Sequence, residues 1–273
     1  METTVEETRL PGHGGEEIGG TLARPAGPGP RPGVVVAHDV FGPTDHIRDV
    51  ARRLAAEGFV ALAPDLWSRD RGRTFPEGET DLLRLKAFVE TIPDARLTGD
   101  LAAAARHLRA LPGVRRDAVG VVGLCMGGIY AFHLACEPGA VQACVDFYGR
   151  LRTDAPSPLH PRGNLERAGE LRCPFLGVFG AMDDLIPLKD VLALKESLGG
   201  RGHVIAYPRA GHAFLNDTRP SYREEEAKDA WRRAVLFLRE HLAPDTLPPG
   251  VGPAVPEYRP PGGKKGGRGG KGR

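Results

Sequence analysis

Hydrophobic and polar positions follow two alternating periods along the first 243 residues. Near the N-terminus, TVEETRL and EIGGTLARP flank the glycine-rich PGHGG and predict an antiparallel hairpin. Short apolar runs follow, of the kind that form buried parallel strands. These predicted strands cover residues 33–39, 59–64, 118–123, 143–149, 174–180 and 203–208.

Helical spacing appears between these runs. From Ile47 to Ala55 the apolar residues recur every three or four positions, and Gly58 follows as a helix stop. The same spacing predicts helices from Leu82 to Ile92, from Leu97 to Leu111 and from Ala227 to Leu238, with one more after the strand 118–123. Strands that alternate with helices predict an α/β fold, in which helices cover both faces of a mostly parallel sheet.

The last thirty residues differ in composition from the rest. Residues 244–273 are rich in Pro and Gly and then basic, with too few apolar side chains to pack, so we expect a disordered tail. Residues 1–243 then form a single domain. The tail holds six Lys/Arg against two Asp/Glu, which leaves the domain with a net charge of −2.

This balance argues against nucleic acid as a partner of the domain. The basic tail could attract an acidic partner, but a solubilising extension is the favoured interpretation. No apolar run approaches the length of a membrane helix, and METTVEETRL lacks the features of a signal peptide, so we expect a cytoplasmic protein. We expect a monomer or a small homo-oligomer.

The stretch GLCMGG carries the first candidate chemistry. Gly123-Leu124-Cys125-Met126-Gly127 follows a predicted strand and opens a predicted helix, which is the context of a nucleophile elbow. Glycines two residues before and after the nucleophile let strand and helix approach closely, and a helix N-terminus favours a thiolate. The alternative is an inert, buried cysteine, as we expect for Cys136, Cys144 and Cys173.

A nucleophile of this kind needs a base and an orienting acid, which in α/β-hydrolases follow it in the order acid, then histidine. Asp183 comes just after a predicted strand in GVFGAMDDLIP, and His212 follows the next strand in YPRAGHAF. Asp184 is the alternative acid, but Asp183 has the D-x-x-[IV]-P spacing to Pro187, where a helix begins.

From about residue 5 to residue 243, the chain resembles the dienelactone hydrolase family of the α/β-hydrolases. The residues that carry the resemblance are AHDVFG (37–42), PDLW (64–67), GLCMGG (123–128), GAMDDLIP (180–187) and AGHAF (210–214). The resemblance implies an α/β-hydrolase fold with Cys125 as nucleophile, His212 as base and Asp183 as its orienting acid.

The resemblance also implies roles in the loop after the strand 33–39. Asp39 would pair with the resting cysteine and control its ionisation, although many members have Glu there; the alternative is that Asp39 caps its own loop. The backbone N–H groups of Val40 and Met126 would form the oxyanion hole. We expect no cofactor. The same loop holds four residues of metal-ligating types, but we expect no metal there: His38, Asp39, Asp45 and His46.

The implied reaction is hydrolysis of a small ester, such as a lactone or enol ester, through an acyl-enzyme. The alternative is a catalytically inactive hydrolase fold used for binding. Family members that act on dienelactone hold the substrate carboxylate with arginines; one falls near Arg84, and the other position holds Asn216. Three arginines at 69, 71 and 73 could replace the missing charge.

Overall fold

The computed structural model describes residues 1–70, 81–153 and 155–247, and within this part an eight-stranded sheet crosses the molecule in the order β1-β2-β4-β3-β5-β6-β7-β8. The strands are β1 (Thr3–Pro11), β2 (Glu17–Pro25), β3 (Arg31–Ala37), β4 (Val60–Pro64), β5 (Val114–Leu124), β6 (Cys144–Phe147), β7 (Phe175–Gly180) and β8 (Gly202–Tyr207). The first two form the predicted hairpin, and β2 pairs antiparallel with β4; all remaining pairs are parallel. The predicted α/β fold with a mostly parallel sheet is confirmed.

Helices connect the parallel strands. They are α1 (Asp45–Ala56), α2 (Leu82–Val89), α3 (Asp94–Ala110), α4 (Met126–Ala135), α5 (Leu188–Leu198) and α6 (Glu224–Leu242). A side chain at Gly120 of β5 would meet Leu238 and Leu242 of α6, whereas one at Gly123 would meet α4. Positions three apart in a strand point to opposite sides, so α4 and α6 cover opposite faces of the sheet.

Two strands differ in length from the sequence expectation by three residues or more. β5 begins at Val114, four residues earlier than predicted, because Val114 pairs with Arg31 across a register shift that the polar stretch 115–117 conceals. β6 ends at Phe147, and the chain turns at Tyr148 and Gly149 instead of continuing as a strand. This turn lies beside the candidate site.

After α6, residues Pro244–Thr246 form one short 3-10 turn. The predicted disordered tail begins at residue 244, and its residues from 248 onwards lie outside the described part, so the disorder stays a prediction. Arg71 and Arg73 also lie outside the described part. Within the described residues, none of the helices combines the length and the hydrophobicity that crossing a bilayer requires.

Candidate active site

Cys125 occupies a strained turn between β5 and α4. Its backbone angles are φ 54° and ψ −117°, a conformation that side-chain-bearing residues rarely adopt. A Cβ at Gly123 would collide with the carbonyl of Gly127, and a Cβ at Gly127 would collide with the carbonyl of Ala37. The two glycines are therefore required because α4 begins in direct contact with the ends of β3 and β5.

The backbone around Cys125 is held from both sides. Its N–H donates to the carbonyl of Phe147 at 2.9 Å, and its carbonyl accepts the N–H of Gly128 at 2.9 Å. Met126 is the first residue of α4, so its N–H points out of the helix without an intrahelical acceptor. The half-buried thiol thus lies at the positive end of a helix dipole.

A chain of side-chain hydrogen bonds starts at this thiol. His212 Nε2 lies 3.2 Å from Cys125 Sγ, and His212 Nδ1 lies 2.8 Å from Asp183 Oδ2. Asp183, which is fully buried, also accepts the backbone N–H groups of Leu185 at 2.8 Å and Ile186 at 3.1 Å through Oδ1. The structure therefore brings Cys125, His212 and Asp183 together, and the alternative acid Asp184 is exposed instead.

The surroundings of His212 favour its charged form. Burial by itself lowers the pKa of the ring, but the negative charge of Cys125 and the hydrogen bonds to Asp183 and Cys125 outweigh burial and raise the pKa to about 10. The His212 ring is thus favoured in its imidazolium form at neutral pH, hydrogen-bonded to both Cys125 and Asp183.

The loop after β3 places Asp39 and Val40 at the same end of the sheet. Asp39 Oδ1 accepts the N–H of Phe41 at 2.9 Å, which is the contact that the capping interpretation requires. The N–H groups of Val40 and Met126 donate to no other described residue, so both are available to a ligand.

Trp67 and His38 brace this loop. The Trp67 indole N–H donates to the carbonyl of Val40 at 3.1 Å, and its ring packs edge-on against Phe88 of α2 and against His38. His38 Nδ1 contacts the carbonyl of Asp39 at 2.6 Å, and its Nε2 accepts the N–H of Leu66 at 3.1 Å. Burial lowers the pKa of His38, so the ring is neutral and structural. Among the residues that the structure describes, no group of three or more His, Cys, Asp or Glu is placed to hold a metal ion.

Of the arginines predicted from sequence, Arg69 and Arg84 lie in the described part of the chain, where neither forms a hydrogen bond or an ion pair with Cys125 or His212. The side chain of Arg84 is exposed on α2, and its backbone N–H donates to Asp81. Arg69 binds the carbonyl of His13 and the carboxylates of Glu16 and Asp100, so it ties the N-terminal turn to α3.

Arg219 is a cation of the site that sequence reasoning missed. Its guanidinium carbon lies 4.4 Å from the centre of the ring of Phe41, which belongs to the same loop as Asp39 and Val40. The buried Nη2 of Arg219 has no hydrogen-bond partner among the described residues. Asn216, which occupies the position of the family's second arginine, is buried and accepts the backbone N–H of Thr218. The sequence did contain one indication of this role, because Arg219 follows Asn216 by only three positions.

A mostly parallel sheet with a nucleophile-type elbow, and with an acid and a histidine after later strands, is the arrangement of the α/β-hydrolases. The sequence pattern of the Dienelactone hydrolase family matches residues 18–242, so the chain belongs to that family and is a carboxylic ester hydrolase.

Relatives agree in sequence and in fold. A protein of Methylorubrum extorquens named "Putative carboxymethylenebutenolidase" is 37% identical over 227 residues, which cover 80% of this chain and 75% of the relative. A Bradyrhizobium protein named "Probable 2-oxo-3-(5-oxofuran-2-ylidene)propanoate lactonase" is 34% identical, over 85% of this chain and 92% of its own. The crystal structure of a "Putative Dienelactone Hydrolase" from Klebsiella pneumoniae superposes with a TM-score of 0.80 at 34% identity, covering 87% of this chain and 99% of that one.

The charge on His212 yields a prediction for titration. The ring should lose its proton near pH 10, and Cys125→Ala should lower that midpoint by about 1 to 3 pH units because the opposite charge is removed. NMR of the ring carbons, with His212→Asn to assign the signal, measures both midpoints. A midpoint that Cys125→Ala leaves unchanged would contradict the pairing.

The same shift affects stability in a defined direction. The pKa of His212 is higher in the folded state than its ordinary value of 6.5, so its contribution to stability is complete below pH 6.5 and is lost as the pH rises through about 10. Urea unfolding measures the free energy of unfolding of the wild type and of His212→Asn. The difference between the two free energies should therefore shrink as the pH rises from 6.5 to about 10.

Proposed function

We propose that the protein hydrolyses small esters, with lactones and enol esters as the substrate class, through an acyl-enzyme on Cys125. The observation that carries the proposal is the hydrogen-bonded chain from Cys125 through His212 to Asp183. Base and orienting acid lie within the reach that nucleophilic catalysis needs. A fold used only for binding would have no need of this chain or of the strained elbow.

In the proposed mechanism, the Cys125 thiolate attacks the ester carbonyl. The N–H groups of Val40 and Met126 stabilise the oxyanion as it develops. The leaving oxygen takes a proton from the His212 imidazolium, and neutral His212 then activates the water that hydrolyses the thioester. Asp183 holds the His212 ring in the required orientation throughout, because its other oxygen is fixed by two backbone N–H groups.

Three cysteines give an internal comparison for the nucleophile. Burial raises the pKa of Cys136 to about 11 and that of Cys173 to about 12, and it raises the pKa of Cys144 well above its usual range. These thiols stay protonated at neutral pH and are poor nucleophiles.

Cys125→Ala should therefore lower ester turnover by about 10³-fold or more, whereas Cys173→Ala, which removes the other half-buried thiol, should leave it nearly unchanged. Mass spectrometry after brief iodoacetamide treatment at pH 7 should find the label on Cys125 first, and an activated ester should leave its acyl group there. Full turnover by Cys125→Ala would refute the proposed nucleophile and favour another mechanism.

Asp39 is proposed to control the ionisation of Cys125, with capping of its own loop as the alternative. Asp39→Asn separates these roles because it keeps an oxygen for the Phe41 N–H and removes the negative charge. Asp65 offers a matched control, since its Oδ1 accepts the N–H of Trp67 two residues later in the same geometry.

We expect Asp39→Asn to lower turnover about 100-fold with little change in melting temperature, and Asp65→Asn to leave turnover nearly unchanged. Kinetics and thermal unfolding of both variants measure this. Near-normal turnover in Asp39→Asn would establish the capping role instead.

Arg219 points to a substrate that carries an anionic group, because its buried Nη2 is left for a ligand next to the Asp39 loop. Arg219→Gln should lower kcat/KM for a carboxylate-bearing lactone by about 10- to 100-fold and affect an uncharged ester of the same size far less. Arg84→Gln is the matched control and tests the position that the family resemblance favoured. Equal losses for charged and uncharged substrates in Arg219→Gln would show that Arg219 only supports the loop.

A further inference from the structure

Backbone strain in this molecule is concentrated at the candidate site. Within the described residues, three residues other than glycine have a positive φ, namely Cys125 at 54°, Tyr148 at 45° and Ala213 at 57°. Strained residues of this kind cluster at functional sites. Cys125 forms the elbow and Ala213 directly follows His212, but the mechanism above gives Tyr148 no role.

The turn that holds Tyr148 is fixed next to the nucleophile. Asp146 Oδ1 accepts the N–H of Gly149 at 2.8 Å and so closes the turn around Tyr148. The N–H of Tyr148 donates to the carbonyl of Val178 at 2.8 Å. The preceding residue, Phe147, accepts the N–H of Cys125, so the backbone of Tyr148 continues directly from a contact with the elbow.

This turn directs the phenol ring towards the histidine. Tyr148 is 2% exposed, and its ring packs edge-on against His212 with 5.3 Å between ring centres, while Phe214 packs on it at 5.8 Å. The hydroxyl group forms no hydrogen bond with any residue in the described part of the chain. A hydroxyl without a partner among the described residues, in a site that binds a ligand, is available to that ligand.

The phenol remains a hydrogen-bond donor at any working pH. Burial raises the pKa of Tyr148 well above its usual range, and the negative charges of Cys125 and Asp39 raise it further, although Arg219 acts in the opposite direction. These interactions also place the ring among the charged groups of the site.

We infer that Tyr148 is a further catalytic residue, whose hydroxyl donates a hydrogen bond to the leaving oxygen of the ester while Cys125 is acylated. This inference rests on the proposed function. The carbonyl oxygen of the substrate turns towards the N–H groups of Val40 and Met126. The leaving oxygen turns towards His212, which supplies its proton, and the Tyr148 ring lies against that same histidine.

The step balances without a further reactant. The bond from Cys125 Sγ to the carbonyl carbon forms, and the bond from that carbon to the leaving oxygen breaks, with the electron pair going to oxygen. The proton on that oxygen comes from the His212 imidazolium. Tyr148 keeps its own proton and stabilises the negative charge that develops on oxygen before the transfer is complete.

The dependence of the rate on the leaving group tests this role. An alkoxide develops full charge as it leaves and needs a donor, whereas p-nitrophenolate leaves readily without one. For two esters with the same acyl group, Tyr148→Phe should lower kcat/KM by about 10-fold or more with an alkyl leaving group and by less than about 2-fold with p-nitrophenol. Tyr148→Phe keeps the ring that packs on His212.

Tyr207→Phe is the matched control. Tyr207 is also fully buried and packs on Phe214, but its hydroxyl donates to Asp229 on α6 at 2.9 Å, so its loss should lower stability without a dependence on the leaving group.

The outcomes separate the two proposals. If the p-nitrophenyl ester acylates Cys125 in the wild type but Tyr148→Phe changes kcat/KM for both esters equally or not at all, the role of Tyr148 is refuted and the nucleophile stands. If no acyl group is found on Cys125 in the wild type, the proposed function itself fails.

Discussion

The contact between the first turn of α4 and the ends of β3 and β5 is the constraint on which the rest of the site depends. Only two glycines, Gly123 and Gly127, allow it, because any side chain there would strike main-chain atoms. The contact forces Cys125 into a positive φ and turns its side chain out of the sheet towards His212. The energetic cost of this conformation is met by the packing of the strands and α4, whose residues are almost all buried.

Strands that are distant in sequence contribute one group each to this end of the sheet. β3 leads into the Asp39 loop, β5 into the elbow, β6 into the Tyr148 turn, β7 into Asp183 and β8 into His212. Parallel strands end at the same edge, which brings these loops together without long connections. Trp67, from the loop after β4, fixes the first of them by binding the carbonyl of Val40.

Negative groups outnumber positive ones in this confined space. Cys125, Asp39 and Asp183 all raise the pKa of the Tyr148 phenol, and His212 and Arg219 are cations near them. Behind the elbow, Asp146 is buried against Gly128 and Gly149; burial raises its pKa to about 7, partly offset by the Gly149 N–H. His212 is engaged by two partners, whereas the buried Nη2 of Arg219 has none among the described residues, which is why we propose Arg219 as the group that attracts an anionic substrate.

The sequence by itself determined the fold class and the candidate triad, because both follow from local patterns. Apolar periodicity specifies strands and helices, the glycines around Cys125 specify an elbow, and Asp183 and His212 come directly after strands whose ends must meet. The spacing to Pro187 favoured Asp183 over Asp184, and the tertiary structure brings Asp183 to His212. Tertiary structure alone placed Tyr148 and Arg219 at the site. Neither Tyr148 nor Arg219 belongs to a sequence motif. The position of Tyr148 depends on where β6 ends and on the hydrogen bond from Gly149 to Asp146. The position of Arg219 depends on how its loop folds over Phe41. No local sequence pattern predicts these features.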